Sequence, residues 1–176
     1  HSGERSTLQA IEISSRPIAI THATPSWWHP GRRSKSDTVL KALTQSGGML
    51  GFSVYPHHLK GGSACTISSF CAMIMDAVER YGVDNLGIGS DLCQDQPDSV
   101  LHWMRNGRWT KETDYGEGSD SDIGFPDQPE WFQDSRDFSN IAGGLEDAGL
   151  PVDDIAAITG GNWLGFYDKS FGPITK

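Results

Sequence analysis

Two histidines and an aspartate occupy the positions where an alternation of strands and helices collects its chemistry. His22 closes one apolar run, Asp91 closes another, and His1 takes the same place if a strand precedes it. In parallel βα architectures ligands lie beyond the carboxyl ends of the strands, because the connecting loops converge there. Imidazole and carboxylate groups on one such rim form a ligand set suited to zinc. Taken singly, His22 reads as a satisfied core histidine, His1 as a frayed terminus and Asp91 as a cap on the next element. Their shared position at successive strand ends is what favours a metal site. Gly87-Ile88-Gly89-Ser90 removes bulk just ahead of Asp91 and lets backbone or ligand approach closely.

The loop after His22 carries Arg32-Arg33 and Trp27-Trp28. A guanidinium on that rim can clamp a carboxylate through two parallel hydrogen bonds, and the tandem tryptophans suit a pocket wall. His57-His58 lacks the separation of a helical ligand pair, so an exposed doublet is the plainer reading. Other chemistries drop out. Gly87-x-Gly89-x-x-Leu92 lacks the third glycine of a dinucleotide fingerprint, and no Walker lysine, HExxH or GxSxG motif is present.

The elements that must hold these residues follow from periodicity. Residues 3–14 fit a short amphipathic helix, and Pro17 to Thr21 form a strand ending at His22. Residues 22–36, with two prolines and two tryptophans, form a loop. Asp37 to Gln45 is a helix with Ser36 as its N-cap and Gly47-Gly48 as its stop. Met49 to Tyr55 is a second strand, Thr66 to Tyr81 a long helix ending at Gly82, and Asn85 to Ser90 a third strand. This βα alternation demands a parallel sheet. Residues 94–131 hold nine Asp or Glu without a sustained period and read as a long acidic loop; no EF-hand spacing occurs there. Two short helices, 140–148 and 152–159, lead to a turn at Gly160-Gly161-Asn162 and an aromatic tail.

Composition narrows the function classes. A chain of 176 residues suits one domain, read here as a single unit over 1–176 with its acidic loop. The formal charge of −9 and the absence of a basic stripe disfavour nucleic acid. No apolar run reaches the roughly 18–20 residues of a membrane span. Cys65, Cys71 and Cys93 match no zinc ribbon or redox pair and read as reduced thiols, so a cytoplasmic setting is expected. The sequence starts at His1 with neither an initiator Met nor a signal segment, and an internal piece of a longer protein is expected.

Several of these residues recur in order. His1-Ser2-Gly3 leads to Ala10-Ile11-Glu12; Ser15-Arg16-Pro17 precedes the strand; His22-x10-Arg33 continues to Ser36-Asp37; Gly87-x-Gly89-Ser90-Asp91 and Gly160-Gly161-Asn162-Trp163 follow. Over nearly its whole length the chain thus resembles the membrane (renal) dipeptidase family of zinc metallopeptidases. The resemblance implies the latter half, about strands five to eight, of a metal-dependent-hydrolase-type (β/α)8 TIM barrel with two zinc ions at its C-terminal rim. The family's first-strand His-x-Asp pair and bridging Glu have no counterpart here, so a complementary N-terminal half would complete the site, and a homodimer is compatible with it. By the same carry-over His1 and His22 bind one zinc. Asp91 orients a metal-bridging hydroxide and passes its proton to the leaving amine. Arg33 holds the terminal carboxylate of a dipeptide, including dipeptides with a C-terminal D-residue, and the loop at His58 touches that end. Departures are Cys93 where a second Asp often stands, Ser34 in place of an Asn, and the longer acidic loop.

A competing expectation, drawn from composition, is a non-catalytic module that binds a small ligand or sugar through Trp27, Trp28, Trp103 and Trp109. Two open sheet edges are expected in either case, with a tendency to pair with another chain.

Overall fold

Three short runs of small and apolar residues become the strands of one parallel sheet. They are β1 (Ala19–Ala23), β2 (Met49–Phe52) and β3 (Leu86–Ile88), ordered β1-β2-β3 across the sheet. Leu50 pairs with Leu86 and Phe52 with Ile88 on one side of β2. On the other side Ala19 and Ile20 face Met49 and Leu50, and the register then slips so that Ala23 meets Phe52. The computed structural model describes residues 1–105 and 124–172. Among these no helix is long and apolar enough to cross a membrane.

Seven α-helices accompany the sheet among the described residues: α1 (Glu4–Ile13), α2 (Asp37–Gln45), α3 (Ile67–Tyr81), α4 (Asp98–Arg105), α5 (Phe138–Asp147), α6 (Val152–Ala156) and α7 (Asn162–Phe171). The Ser36 hydroxyl accepts a hydrogen bond from the Val39 N–H at 3.3 Å, and the Thr66 hydroxyl accepts one from Ser69 at 3.2 Å. Both starts are thus fixed by side-chain caps. Helix α3 stops at Gly82, whose φ of 77° lies in the left-handed region that favours glycine.

Helix α3 buries Phe70, Met73, Ile74 and Ala77, the spacing of one helical stripe. They join Leu40 and Leu43 of α2, Leu50 and Phe52 of β2, Leu86 of β3, and Ile141 and Leu145 of α5 in one core. The opposite face of the sheet is built from small residues. An added Cβ at Gly51 or Gly89 would strike the Thr21 carbonyl, and one at Gly87 would lie 2.6 Å from the Trp163 ring nitrogen.

Two stretches differ from the sequence expectation. Part of the acidic loop winds into α4, whose Trp103 and Met104 are exposed and so leave no buried stripe to read. Residues 106–123 of that loop, Trp109 included, lie outside the described residues. The expected turn at Gly160-Gly161-Asn162 is instead a π-type turn over Ala157–Gly161 that runs directly into α7. The aromatic tail is helical, with Trp163, Phe166 and Tyr167 clustered on it.

Helix α7 also answers the expectation of open edges. The Asn162 amide donates to the Val83 and Leu86 carbonyls at 2.7 and 2.8 Å, and the Trp163 indole donates to the Ile88 carbonyl at 2.9 Å. These bonds occupy acceptors along the outer rim of β3, so that rim is covered by side chains.

Candidate metal centre

The register slip in β1 is the local event that creates the site. Slips of this kind re-aim one side chain out of the regular alternation, and here the affected residues are Thr21 and His22. Glycine at 51 and 89 makes room for the displaced Thr21 carbonyl. The Thr21 hydroxyl lies 2.8 Å from His22 Nδ1, so with the proton on Nδ1 the ring donates to Thr21 and presents the Nε2 lone pair outward.

That lone pair meets His1. The two Nε2 atoms are 3.2 Å apart, with the rings edge to face at 72°. Two nitrogens that share one tetrahedral zinc at 2.0–2.1 Å should lie about 3.3 Å apart. The pair therefore has the separation of adjacent ligands on one ion. The Asp91 carboxylate approaches His22 Nε2 to 3.8 Å, and both side chains are about a quarter to a third exposed. Asp91 holds this place with a φ of 53°, a conformation that short polar residues tolerate best outside glycine and one that clusters at functional sites. Two imidazoles fit an ion; among the described residues no group of three or more His, Cys, Asp or Glu is arranged to hold one.

His58 is 6% exposed, not part of an exposed doublet. Its Nδ1 lies 2.8 Å from the Ser53 hydroxyl, and its ring stacks over His22 at 6.5 Å. Burial first, then the charges of Arg33 and the neighbouring histidines, pushes its pKa down to about 4. The ring is therefore neutral at physiological pH. Arg33 sits half-buried on the β1–α2 loop, near enough for its charge to act on His58. The structure thus draws His1, His22 and Asp91 into direct proximity, with His58 and Arg33 at the margin.

The loop that carries Arg33 is closed at its neck. Lys35 N–H donates to the Thr24 carbonyl at 3.0 Å, and Ser26 N–H donates to the Lys35 carbonyl at 2.9 Å. Buried Thr24 donates its hydroxyl to the His58 carbonyl at 2.7 Å. Ser34, where the resembled family has an Asn, closes the tip by donating to the His29 carbonyl at 2.7 Å. Sequence reasoning overlooked Thr21, Thr24, Ser53 and Lys35. Only the adjacency of Thr21 to His22 offered a signal, since the Thr24 and Lys35 contacts cross between segments and Ser53 meets His58 only through the local fold of one loop.

A cavity of about 340 Å³ opens beside the site, with His22, Gly89, Ser90, Asp91, Trp163 and Tyr167 in its wall. A second, of about 150 Å³, lies on the other side of His22 and is lined by His1, Ser2, Thr21 and Lys35 among others. The expected tryptophan wall is elsewhere. Trp27 donates to the Tyr81 hydroxyl at 2.8 Å and lies under Arg80, while Trp28 lies under Lys60. Trp103 stands 75% exposed on α4, so the described tryptophans of the binding-module reading serve separate places.

Comparison with known proteins follows the same residues. A family model described as membrane dipeptidase (Peptidase family M19) matches residues 1–102. Dipeptidase tcpJ of Claviceps purpurea is 28% identical over 92 residues, which cover 52% of this chain and 22% of that protein. An amidohydrolase from Pseudomonas aeruginosa superposes with a TM-score of 0.86 at 24% identity, over 98% of this chain and 51% of its own. A metallopeptidase from Rhodobacter sphaeroides, liganded with a phosphinate mimic of the dipeptide L-Ala-D-Ala, gives 0.73 at 17% identity, over 97% and 41%. At these identities the structural likeness speaks for the fold alone. In each case the chain spans no more than about half the length of the relative it matches.

Proposed function

Since the chain belongs to the membrane dipeptidase family, peptidase family M19, we propose that it carries part of the active site of a zinc-dependent dipeptidase. The observation that carries this reading is the 3.2 Å approach of His1 and His22 Nε2 beside the Asp91 carboxylate. Two imidazoles make an incomplete zinc site, and a catalytic one takes about three protein ligands. The remaining ligands, and those of a second zinc, would come from residues outside the described ones. Residues 1–176 are assigned to the second half of a (β/α)8 barrel on the order of the residues that carry the family resemblance, and covering about half of the Pseudomonas chain agrees in length.

A zinc ion held there supplies a Lewis acid that acidifies water and polarises a peptide carbonyl. This chain's own residues do the rest. Asp91 accepts a proton from the attacking water and delivers it to the leaving amine, as a carboxylate on the rim is able to do. Arg33 pairs with the free carboxylate of the substrate, which restricts length to two residues. Such a clamp reads the carboxylate and not the side chain next to it, so a C-terminal D-residue is accepted. The dipeptide mimic bound by the Rhodobacter enzyme supports that substrate class. His58, neutral and buried beside Arg33, lines the same end without competing for the carboxylate.

The test is Asp91→Asn in the full-length protein. Hydrolysis of a simple dipeptide should fall by about 10²-fold or more while zinc content stays at the wild-type level. Full activity in this variant refutes the role of Asp91, and wild-type protein without zinc or dipeptide hydrolysis refutes the whole reading.

A further inference from the structure

We infer that Lys35 is a positioning residue that ties the substrate-clamp loop to the metal-ligand segment, an inference that rests on the metal reading above. Its ammonium donates a 2.6 Å hydrogen bond to the Ser2 carbonyl, one residue from His1. Its backbone is clasped on both sides, to the Thr24 carbonyl and to the Ser26 N–H. The lysine therefore cannot drift with the loop tip. It hands the position of a fixed loop neck to the backbone that carries His1.

Two further observations connect this exposed hydrogen bond to the site. Lys35 is half-buried and shares the 150 Å³ cavity with His1 and His22. Partial burial, and then the like charge of Arg33, disfavour its protonated form, yet the side chain meets a carbonyl in place of a carboxylate. A partner without negative charge leaves the ammonium's own charge unneutralised. The same neck reaches the third site loop through the Thr24 hydroxyl on the His58 carbonyl. His1, Arg33 and His58 thus share one support.

The geometry matters because a single ion tolerates only small errors in nitrogen separation. If Ser2 is released, His1 loses the constraint that holds it 3.2 Å from His22. Partners that orient metal ligands from behind typically change metal affinity about 10- to 100-fold when removed.

The experiment compares the full-length protein with Lys35→Met and Lys35→Arg, reading zinc affinity by competition with a chromophoric chelator and thermal midpoint in parallel. Lys35→Met should weaken zinc about tenfold with a thermal midpoint in chelator close to wild type. Lys35→Arg, which keeps a donor of similar reach, should restore most of the affinity. Unchanged zinc affinity in Lys35→Met overturns the inference while leaving the metal reading intact. Loss of affinity that only tracks a lowered midpoint, without rescue by arginine, also overturns it. Wild-type protein that binds no zinc overturns both.

Discussion

Acid should weaken this fold through one identifiable ring. His58 is buried, bonded to Ser53 and crowded by Arg33 and other histidines, and its pKa is pushed from 6.5 down to about 4. In the unfolded chain the ring takes up a proton below pH 6.5, whereas the folded chain refuses it until about pH 4. Its contribution is thus fully present above pH 6.5 and is lost as the pH falls towards 4. Between pH 7 and pH 5 the loss comes to about 2 kcal/mol, and the full effect to about 3 kcal/mol. With a urea slope of roughly 2 kcal/mol per molar, the midpoint should move down by about 1 M over that range. Urea titrations in the presence of chelator, on wild type and His58→Gln, isolate the effect. The glutamine does not titrate, so the variant should lose this share of the pH slope whatever its absolute stability. An identical slope in the two proteins refutes the argument.

Two further substitutions probe how the rim is built. Gly89→Ala drives a methyl group into the Thr21 carbonyl; it should cost about 2 kcal/mol or more by denaturant unfolding and also weaken zinc binding, since the same carbonyl belongs to the slip that aims His22. Thr24→Val keeps the volume and removes the hydroxyl that donates to the His58 carbonyl, which should cost about 1 kcal/mol; a value near zero in the same assay would show that the hydroxyl bond is not a net contributor.

Much of the scaffold is legible in the residue order. The helix 37–45 with its Ser36 cap, and the long helix closed by Gly82, follow from caps and a clean 3.6-residue stripe, and the structure reproduces them. Helices α4 and α7 were missed for opposite reasons. The first buries almost nothing, so it has no stripe to find; the second has an aromatic stripe that two preceding glycines disguised as a turn. At the site, the strand-end rule singled out His1, His22 and Asp91 and the rim loop singled out Arg33, while the separate role expected of each came through family resemblance; the structure brings His1, His22 and Asp91 together. The slip in β1, the Thr24 bond to His58 and the Lys35 bond to Ser2 were not legible. The two bonds join residues far apart in sequence and the slip sets one extra β1 residue against β2, and neither leaves a trace in composition or spacing.

The side chains of Asn162 and Trp163 on β3 have a consequence for how copies of this chain can meet. A sheet with two bare margins can stack head to tail without end, the geometry of a fibre. Here the β3 margin already spends the Leu86 and Ile88 carbonyls on α7, so a strand arriving there must first break two good hydrogen bonds. In the complete barrel proposed above, both sheet margins meet neighbouring strands, so the α7 bonds to Leu86 and Ile88 would have to give way before a strand of the complementary half could pair with β3.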